Sequence, residues 1–196
     1  MIWFFNLASA HPAHLEADHA NFMFLGVEHI WTGYDHLLFL FALLLRAERA
    51  RDIAMVVTTF TLAHSITLSA AAIGYLKAPP SIVEPAIAAT IIVVGLENLR
   101  TPSVRSSVVA TLGLGLIHGF GFAGVLAEVA VPRHELLSSL LLFNLGVETG
   151  QLSLVLIAMP ALLRLRTYSS TWTSIAVPSL SVGISCMGFW WLLQRI

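Results

Sequence analysis

Long apolar runs separated by short polar connections are the main pattern of this sequence. A bilayer core about 30 Å thick is crossed by a helix of about 20 apolar residues. Segments that meet this requirement lie at about residues 22–45, 53–76, 82–99, 106–130, 136–163 and 172–193. The connections are short and rich in turn or charged residues, such as "KAPPS" and "VPRHE". The pattern predicts an all-α, polytopic membrane protein, a bundle of six transmembrane helices.

Composition supports the same fold class. Of the 196 residues, 57% are hydrophobic and only 11% are charged, whereas a soluble domain carries about 25% charged residues. Ten Lys and Arg nearly balance eleven Asp and Glu, so the charge indicates no nucleic-acid-binding surface. The lipid bilayer is the expected partner, and nucleic acid is not.

The distribution of basic residues predicts the orientation, because cytoplasmic loops carry the excess of Lys and Arg. The first, third and fifth connections hold Arg46, Arg49, Arg51, Arg100, Arg105, Arg164 and Arg166. The opposite side holds only Lys77, Arg133 and Arg195. We therefore expect a multi-pass protein of the bacterial inner membrane with both termini on the non-cytoplasmic side.

The domain organisation predicted is a short extramembrane segment, residues 1–21, followed by one transmembrane domain, residues 22–196. The start "MIWFFNLASA" ends in an A-x-A pattern but lacks a basic region and is short for a signal peptide. Cleavage after Ala10 is therefore the less favoured interpretation. The stretch "HPAHLEADH" would either capture a cation or form a solvated tail, and the solvated tail is favoured.

Polar side chains interrupt the first apolar segment, in "GVEHIWTGYDHLLFL". An Asp, Lys or Arg at a helix centre costs about 2.5 to 3.5 kcal/mol on insertion scales, so such residues need a function or a partner. Glu28, Thr32, Asp35 and His36 follow helical spacing along one stripe, with His29 beside them. We expect this stripe to face the interior of the bundle.

Other segments bring similar groups to mid-membrane depth. They are His64 in "FTLAHSITLS", His118 in "GLIHGFGFAG", and Asn144, Glu148 and Gln151 in "FNLGVETGQ". The combination predicts one shared metal site, because intramembrane ionisable residues mark ion pathways. Its predicted ligands are His29, Asp35, His36, His64, His118 and Glu148. The alternative for each histidine is a hydrogen-bonded packing role.

A second set of polar residues is assigned to packing or to the pathway: Glu28, Glu84, Glu97, Asn144 and Gln151. Glu84 and Glu97 lie 13 positions apart, about 20 Å along a helix, so they cannot share one site. Glu84 is placed at the start of an access path. Glu97 either ends an exit path or forms a salt bridge with Arg100, and the salt bridge is favoured.

The ligand types restrict the metal. Cys186 is the only cysteine, so any site must use nitrogen and oxygen ligands. Imidazole with carboxylate suits nickel, cobalt, zinc, iron(II) or copper(II). Histidines must lose their protons to bind a cation, so movement of the ion coupled to protons is a natural hypothesis.

The motifs "EHIWTGYDHLLFLFALLL", "FTLAHSITL", "VEPAIA", "LEN", "HGFGFA" and "FNLGVETGQ" together resemble the HupE/UreJ family, over about residues 24–152. The first family motif reads H-P-x-x-G-x-D-H. Here His29, Gly33, Asp35 and His36 match it, and Ile30 replaces the proline, which is similar to a second branch of the family. The resemblance implies an accessory membrane protein of hydrogenase or urease systems, regarded as a nickel or cobalt permease. On this resemblance, the functional roles of the family motif are expected for His29, Asp35 and His36.

The leading function is therefore a permease for a divalent transition metal ion (nickel, cobalt or zinc). A second copy of the chain or proteins of metalloenzyme maturation are the candidate protein partners. One alternative is an intramembrane zinc hydrolase with Glu148 or Glu28 as base. Another is an accessory subunit whose polar core only joins its helices.

Overall fold

The computed structural model describes residues 19–45, 49–100, 104–128, 131–168 and 171–196. Within these ranges the chain is helical and contains no strand. The predictions for the tail "HPAHLEADH" before His19, for cleavage after Ala10 and for Arg46 fall outside the described residues. The same is true of most of the predicted extramembrane segment, which stays a prediction.

The helices follow the predicted segments closely, with one division and one irregular start. They are α1 (His19–Thr32), α2 (Tyr34–Leu44), α3 (Ala50–Ala72), α4 (Pro80–Glu97), α5 (Val104–Glu128), α6 (Leu136–Tyr168) and α7 (Val177–Arg195). A π-helical turn, Trp172–Ala176, leads into α7. Proline in the first turn of α4 and of α7 fits because a helix leaves those N–H groups unpaired.

The first predicted segment is two helices, not one. The backbone of Gly33 is extended, with ψ 93°, and separates α1 from α2. The Gly33 N–H still donates to the His29 carbonyl at 3.0 Å, and Leu37 donates to the Gly33 carbonyl at 2.9 Å. The chain therefore bends sharply and then resumes a helix whose first turn carries Asp35.

Among the described residues, four helical stretches are long and apolar enough to cross a membrane: Arg51–Ala72, Pro80–Glu97, Leu136–Tyr168 and Trp172–Arg195. The helix Tyr34–Leu44 and the stretch Val108–Phe122 within α5 are also apolar but shorter. The first predicted segment falls below the length of a span because Gly33 divides it. These helices characterise the chain as an integral membrane protein.

Close packing at small residues organises the described helices into pairs: α3 with α5, α1 with α6 and α4 with α7. A Cβ on Gly26 would collide with the Phe143 carbonyl of α6. A Cβ on Gly115 would lie 2.7 Å from the Phe60 carbonyl of α3, and one on Gly188 would lie 3.1 Å from the Ile92 nitrogen of α4. Small residues are the usual means by which membrane helices bring their backbones together.

Two apolar clusters fill the interior. One is built around Phe39 and Phe60, and the other around Phe122 and Phe143. The candidate site lies between them.

Candidate metal centre

The bend at Gly33 brings two histidines of the first segment together. In a straight helix, residues seven apart are separated by a rise of about 10 Å. Here the rings of His29 and His36 contact each other edge to face, with centroids 4.5 Å apart. A Cβ on Gly33 would lie 2.6 Å from the His29 carbonyl oxygen and 2.9 Å from His36 Nδ1. Glycine is therefore the residue that this bend has room for.

The α3–α5 pair supplies the other two histidines. His64 is completely buried and His118 is 1% exposed. A Cβ on Gly119, next to His118, would collide with the His64 carbonyl, so the two backbones can approach only because this position has no side chain. The His36 ring lies 5.2 Å from the His118 ring and 6.3 Å from the His64 ring, centroid to centroid.

These rings offer nitrogen ligands to a common point. One ring nitrogen from each of His29, His36 and His64 lies within 4.8 Å of the other two. A cation at the centre of such a triangle would lie within bonding reach of all three after small adjustments, because metal–imidazole distances are about 2.0 to 2.1 Å for zinc. The three ligands come from α1, α2 and α3.

The nitrogens are buried without hydrogen-bond partners. This is true of His29 Nε2, His36 Nε2, both nitrogens of His64, and His118 Nε2. Buried polar atoms are hydrogen-bonded in the great majority of cases, so a group of orphaned nitrogens calls for an explanation. A ligand that they bind together provides one.

The tautomer of His118 follows from its surroundings. Its Nδ1 lies 3.0 Å from the Leu114 carbonyl oxygen. Because a carbonyl only accepts, Nδ1 must carry the proton, and Nε2 then presents its lone pair. A metal-ligating histidine typically donates its second ring nitrogen to such an acceptor. His118 lies outside the group of three whose nitrogens come within 4.8 Å of one another, but its tautomer would suit it as a fourth ligand.

Phenylalanines surround the four histidines. Phe122 and Phe143 lie 4.6 and 5.6 Å from the His29 ring, and Phe60 lies 5.2 Å from the His118 ring, between centroids. Phe39 lies 5.4 Å from His118. This apolar wall lowers the local dielectric and raises the cost of leaving the nitrogens unbound. The sequence analysis did not predict this wall.

Asp35, predicted as a ligand, is engaged elsewhere. Both of its carboxylate oxygens accept from Arg195 Nη2, at 3.2 and 3.1 Å. The sequence showed Arg195 only as a terminal charge, and no spacing pattern connects positions 160 residues apart.

Glu148 was predicted as a ligand and Gln151 as a packing or pathway residue, and both accept hydrogen bonds from threonines of α3. Thr58 donates to Glu148 Oε1 at 2.7 Å, and Thr61 donates to Gln151 Oε1 at 2.8 Å. We call these two hydrogen bonds the α3–α6 ladder. Neither residue joins the group formed by His29, His36 and His64, which contains no carboxylate among the described residues.

The remaining predicted polar residues are distributed around the site. Asn144 lies beside His64, and its Oδ1 is buried without a hydrogen-bond partner, while its Nδ2 donates to the Leu140 carbonyl.

The Glu28 and Glu84 side chains are half-buried, and the Glu84 carbonyl accepts from Arg195 at 3.3 Å. Glu97 is half-buried and forms no ion pair with Arg100, although the structure describes both side chains. The predicted Glu97–Arg100 salt bridge is therefore wrong.

Together the fold and the site define a class: an all-helical integral membrane protein with a buried cluster of imidazoles. A family model described as HupE / UreJ protein matches residues 7–195. The chain belongs to the HupE/UreJ family, as its motifs predicted. The comparisons with curated proteins and with solved structures found no match.

Proposed function

We propose that this protein is a permease that carries a divalent transition metal ion, nickel or cobalt, across the bacterial inner membrane. Its six predicted segments would cross the bilayer, with the first span bent at Gly33 and both termini on the non-cytoplasmic side. Support for this topology comes from the lengths of the apolar segments and from the arginines concentrated in alternate connections.

One observation carries the proposal: imidazole nitrogens from three helices lie within 4.8 Å of one another, and each of the three rings has a buried nitrogen without a hydrogen-bond partner. His29, His36 and His64 would hold the ion, and His118 Nε2 would complete a set of four nitrogen ligands. Neutral imidazole suits nickel, cobalt and zinc. Family membership favours nickel or cobalt among them.

The packing alternative accounts less well for these contacts. Histidines that only joined helices would be expected to use their nitrogens in interhelical hydrogen bonds. Here His64 has Asn144 of α6 as a polar neighbour but no hydrogen bond within 3.5 Å, and Nε2 of His29, of His36 and of His118 has no partner. Interhelical hydrogen bonds are made instead by Thr58 and Thr61.

The hydrolase alternative needs a base beside the metal. The candidate bases were Glu148 and Glu28. Glu148 accepts a hydrogen bond from Thr58, and neither carboxylate joins the three-histidine group. A permease, which needs only ligands and a path, fits this arrangement better.

The test is metal binding and uptake by the full chain. Calorimetry with nickel(II) and cobalt(II) should show one high-affinity site in the purified protein, and vesicles containing the protein should accumulate the ion. His64→Ala should abolish both activities. His134→Ala is the matched control, because His134 is an exposed histidine remote from the cluster. A wild-type protein that neither binds nor transports divalent ions would overturn the proposal.

A further inference from the structure

The last helical residue of α7 reaches back to the first turn of α2. Arg195 Nη2 donates to both carboxylate oxygens of Asp35, and its Nη1 donates to the Glu84 carbonyl of α4 at 3.3 Å. Its guanidinium also lies over the Trp191 ring, 5.7 Å from the centroid. The Arg195 and Asp35 side chains are only 20% and 16% exposed. A desolvated pair of this kind is strongly coupled, and removal of one partner leaves a costly charge.

Asp35 is one of two carboxylates adjacent in sequence to a histidine of the cluster, and Glu28, which precedes His29, is the other. Asp35 directly precedes His36, whose ring contacts both His29 and His118. Asp35 and Arg195 both lie within electrostatic range of the His118 ring. The charges of this pair therefore contribute to the electrostatic potential at the histidine cluster.

A divalent ion and the guanidinium compete for the same carboxylate. An ion bound by neutral histidines brings two positive charges into a low-dielectric interior, where repulsion from a nearby arginine is weakly screened. A carboxylate that turned toward the ion would lower this cost, but Asp35 can do so only by leaving Arg195.

We propose that Arg195 is an internal competitor for Asp35: it holds the carboxylate in a latch between α7 and α2, and a divalent ion in the histidine cluster releases it. The proposal rests on the proposed function, since it requires that the cluster bind an ion. It assigns to the end of α7 a regulatory role that links ion occupancy to movement of that helix. Release of Arg195 frees the contact that ties α7 to both α2 and α4.

Binding measurements on four full-length chains test the latch: wild type, Arg195→Gln, Asp35→Asn and the double variant, titrated with cobalt(II). Arg195→Gln should bind about tenfold more tightly than wild type, a typical coupling between two sites. Asp35→Asn should bind more weakly than wild type. The double variant should differ from Asp35→Asn by much less than Arg195→Gln differs from wild type, because most of the effect of Arg195 passes through Asp35 and only direct repulsion from the ion remains. Arg133→Gln is the control, since it removes an exposed arginine that makes none of these contacts. It should bind as wild type does.

If the Arg195–Asp35 contact only holds the helices together, Arg195→Gln should not bind cobalt(II) more tightly than wild type. If Arg195→Gln binds cobalt(II) as weakly as wild type or more weakly, while circular dichroism shows unchanged helix content, the latch is overturned and the proposed function stands. Arg195→Lys keeps the charge but loses the planar guanidinium that reaches Asp35 and the Glu84 carbonyl at once, so its affinity should fall between those of Arg195→Gln and wild type. No binding by any chain would overturn both proposals.

A second readout follows α7 itself. Cys186 is exposed on α7 and is the chain's only cysteine, so one nitroxide attaches there and a second at Ile73→Cys, an exposed position at the end of α3. Zinc(II), which is diamagnetic, should change the distance distribution between the two labels in the wild-type background and leave it unchanged with Asp35→Asn. An unchanged distribution in both, with zinc(II) bound, would overturn the latch.

Discussion

The histidine cluster and the α3–α6 ladder are two polar regions of the same helices that differ in how their atoms are satisfied. In the ladder, Glu148 and Gln151 each accept a hydroxyl hydrogen bond from a threonine of α3. In the cluster, the ring nitrogens of His29, His36 and His64 that face one another have no hydrogen-bond partners. The sequence predicted Glu148 of the ladder as a ligand of the same metal site as the histidines, and assigned Gln151 to packing or to the pathway. Hydrogen-bond satisfaction separates a region that joins helices from one prepared for a ligand.

His64→Leu should have the largest effect on the difference between the cluster and the ladder. Loss of this ligand should weaken cobalt(II) binding at least about a hundredfold, or about 2.8 kcal/mol at 1.4 kcal/mol per tenfold. Without metal, thermal stability should stay unchanged or rise, because replacing an orphaned polar group with an apolar one removes a desolvation cost. Calorimetry and thermal unfolding measure the two effects. A large loss of stability in the absence of metal would instead assign His64 to packing.

Gly33→Ala should have the next largest effect, on the cluster alone. The added methyl would press on the His29 carbonyl and on His36 Nδ1, and overpacking of this kind costs about 1 to 3 kcal/mol. We expect cobalt(II) affinity to fall about tenfold as the two rings separate, roughly 1.4 kcal/mol. Gly113→Ala is the matched control, because a Cβ there meets nothing within 4 Å. The bend is not needed for the site if both variants bind alike.

Gln151→Leu should affect the ladder and leave the cluster intact. It removes an interhelical hydrogen bond from Thr61, and such bonds in membrane helices average about 0.6 kcal/mol. Thr61 keeps the Val57 carbonyl as an acceptor at 3.2 Å, which limits the loss. Thermal unfolding should show a small decrease, and calorimetry should show unchanged cobalt(II) affinity. A parallel loss of affinity would place the ladder and the cluster in one functional unit.

Glu148→Gln should have the smallest effect, because the amide oxygen can still accept from Thr58. We expect stability within about 0.5 kcal/mol of wild type, as for most substitutions that preserve contacts, and unchanged metal affinity. This variant tests whether Glu148 belongs to the ladder or to the metal site, since the sequence also allowed Glu148 as a ligand. A drop in cobalt(II) affinity beyond tenfold would return Glu148 to the ligand set.

The sequence predicted individual helices better than it predicted how their side chains meet. Apolar runs located nearly every helix, but the first run was expected to be continuous. The signal for its division was present, since Gly33 sits inside the run and directly precedes the turn with Asp35. A single glycine does not decide between a tolerated helical position and a break. The outcome depends on whether the packing of His36 and the rest of α2 is more favourable after a bend than in a continuous helix.

The amino-acid sequence by itself determined the environment and the ligand chemistry. Apolar length and sparse charge require a lipid-embedded helical chain, and a single cysteine leaves imidazole and oxygen ligands, because transfer free energies and ligand preferences belong to residue types. Only the tertiary structure decided which donors converge. His29, His36 and His64 meet, while Asp35 turns to Arg195 and Glu148 to Thr58. The close approach of α1 to α6 and of α3 to α5 depends on contacts at Gly26 and Gly119, which join positions far apart in the chain.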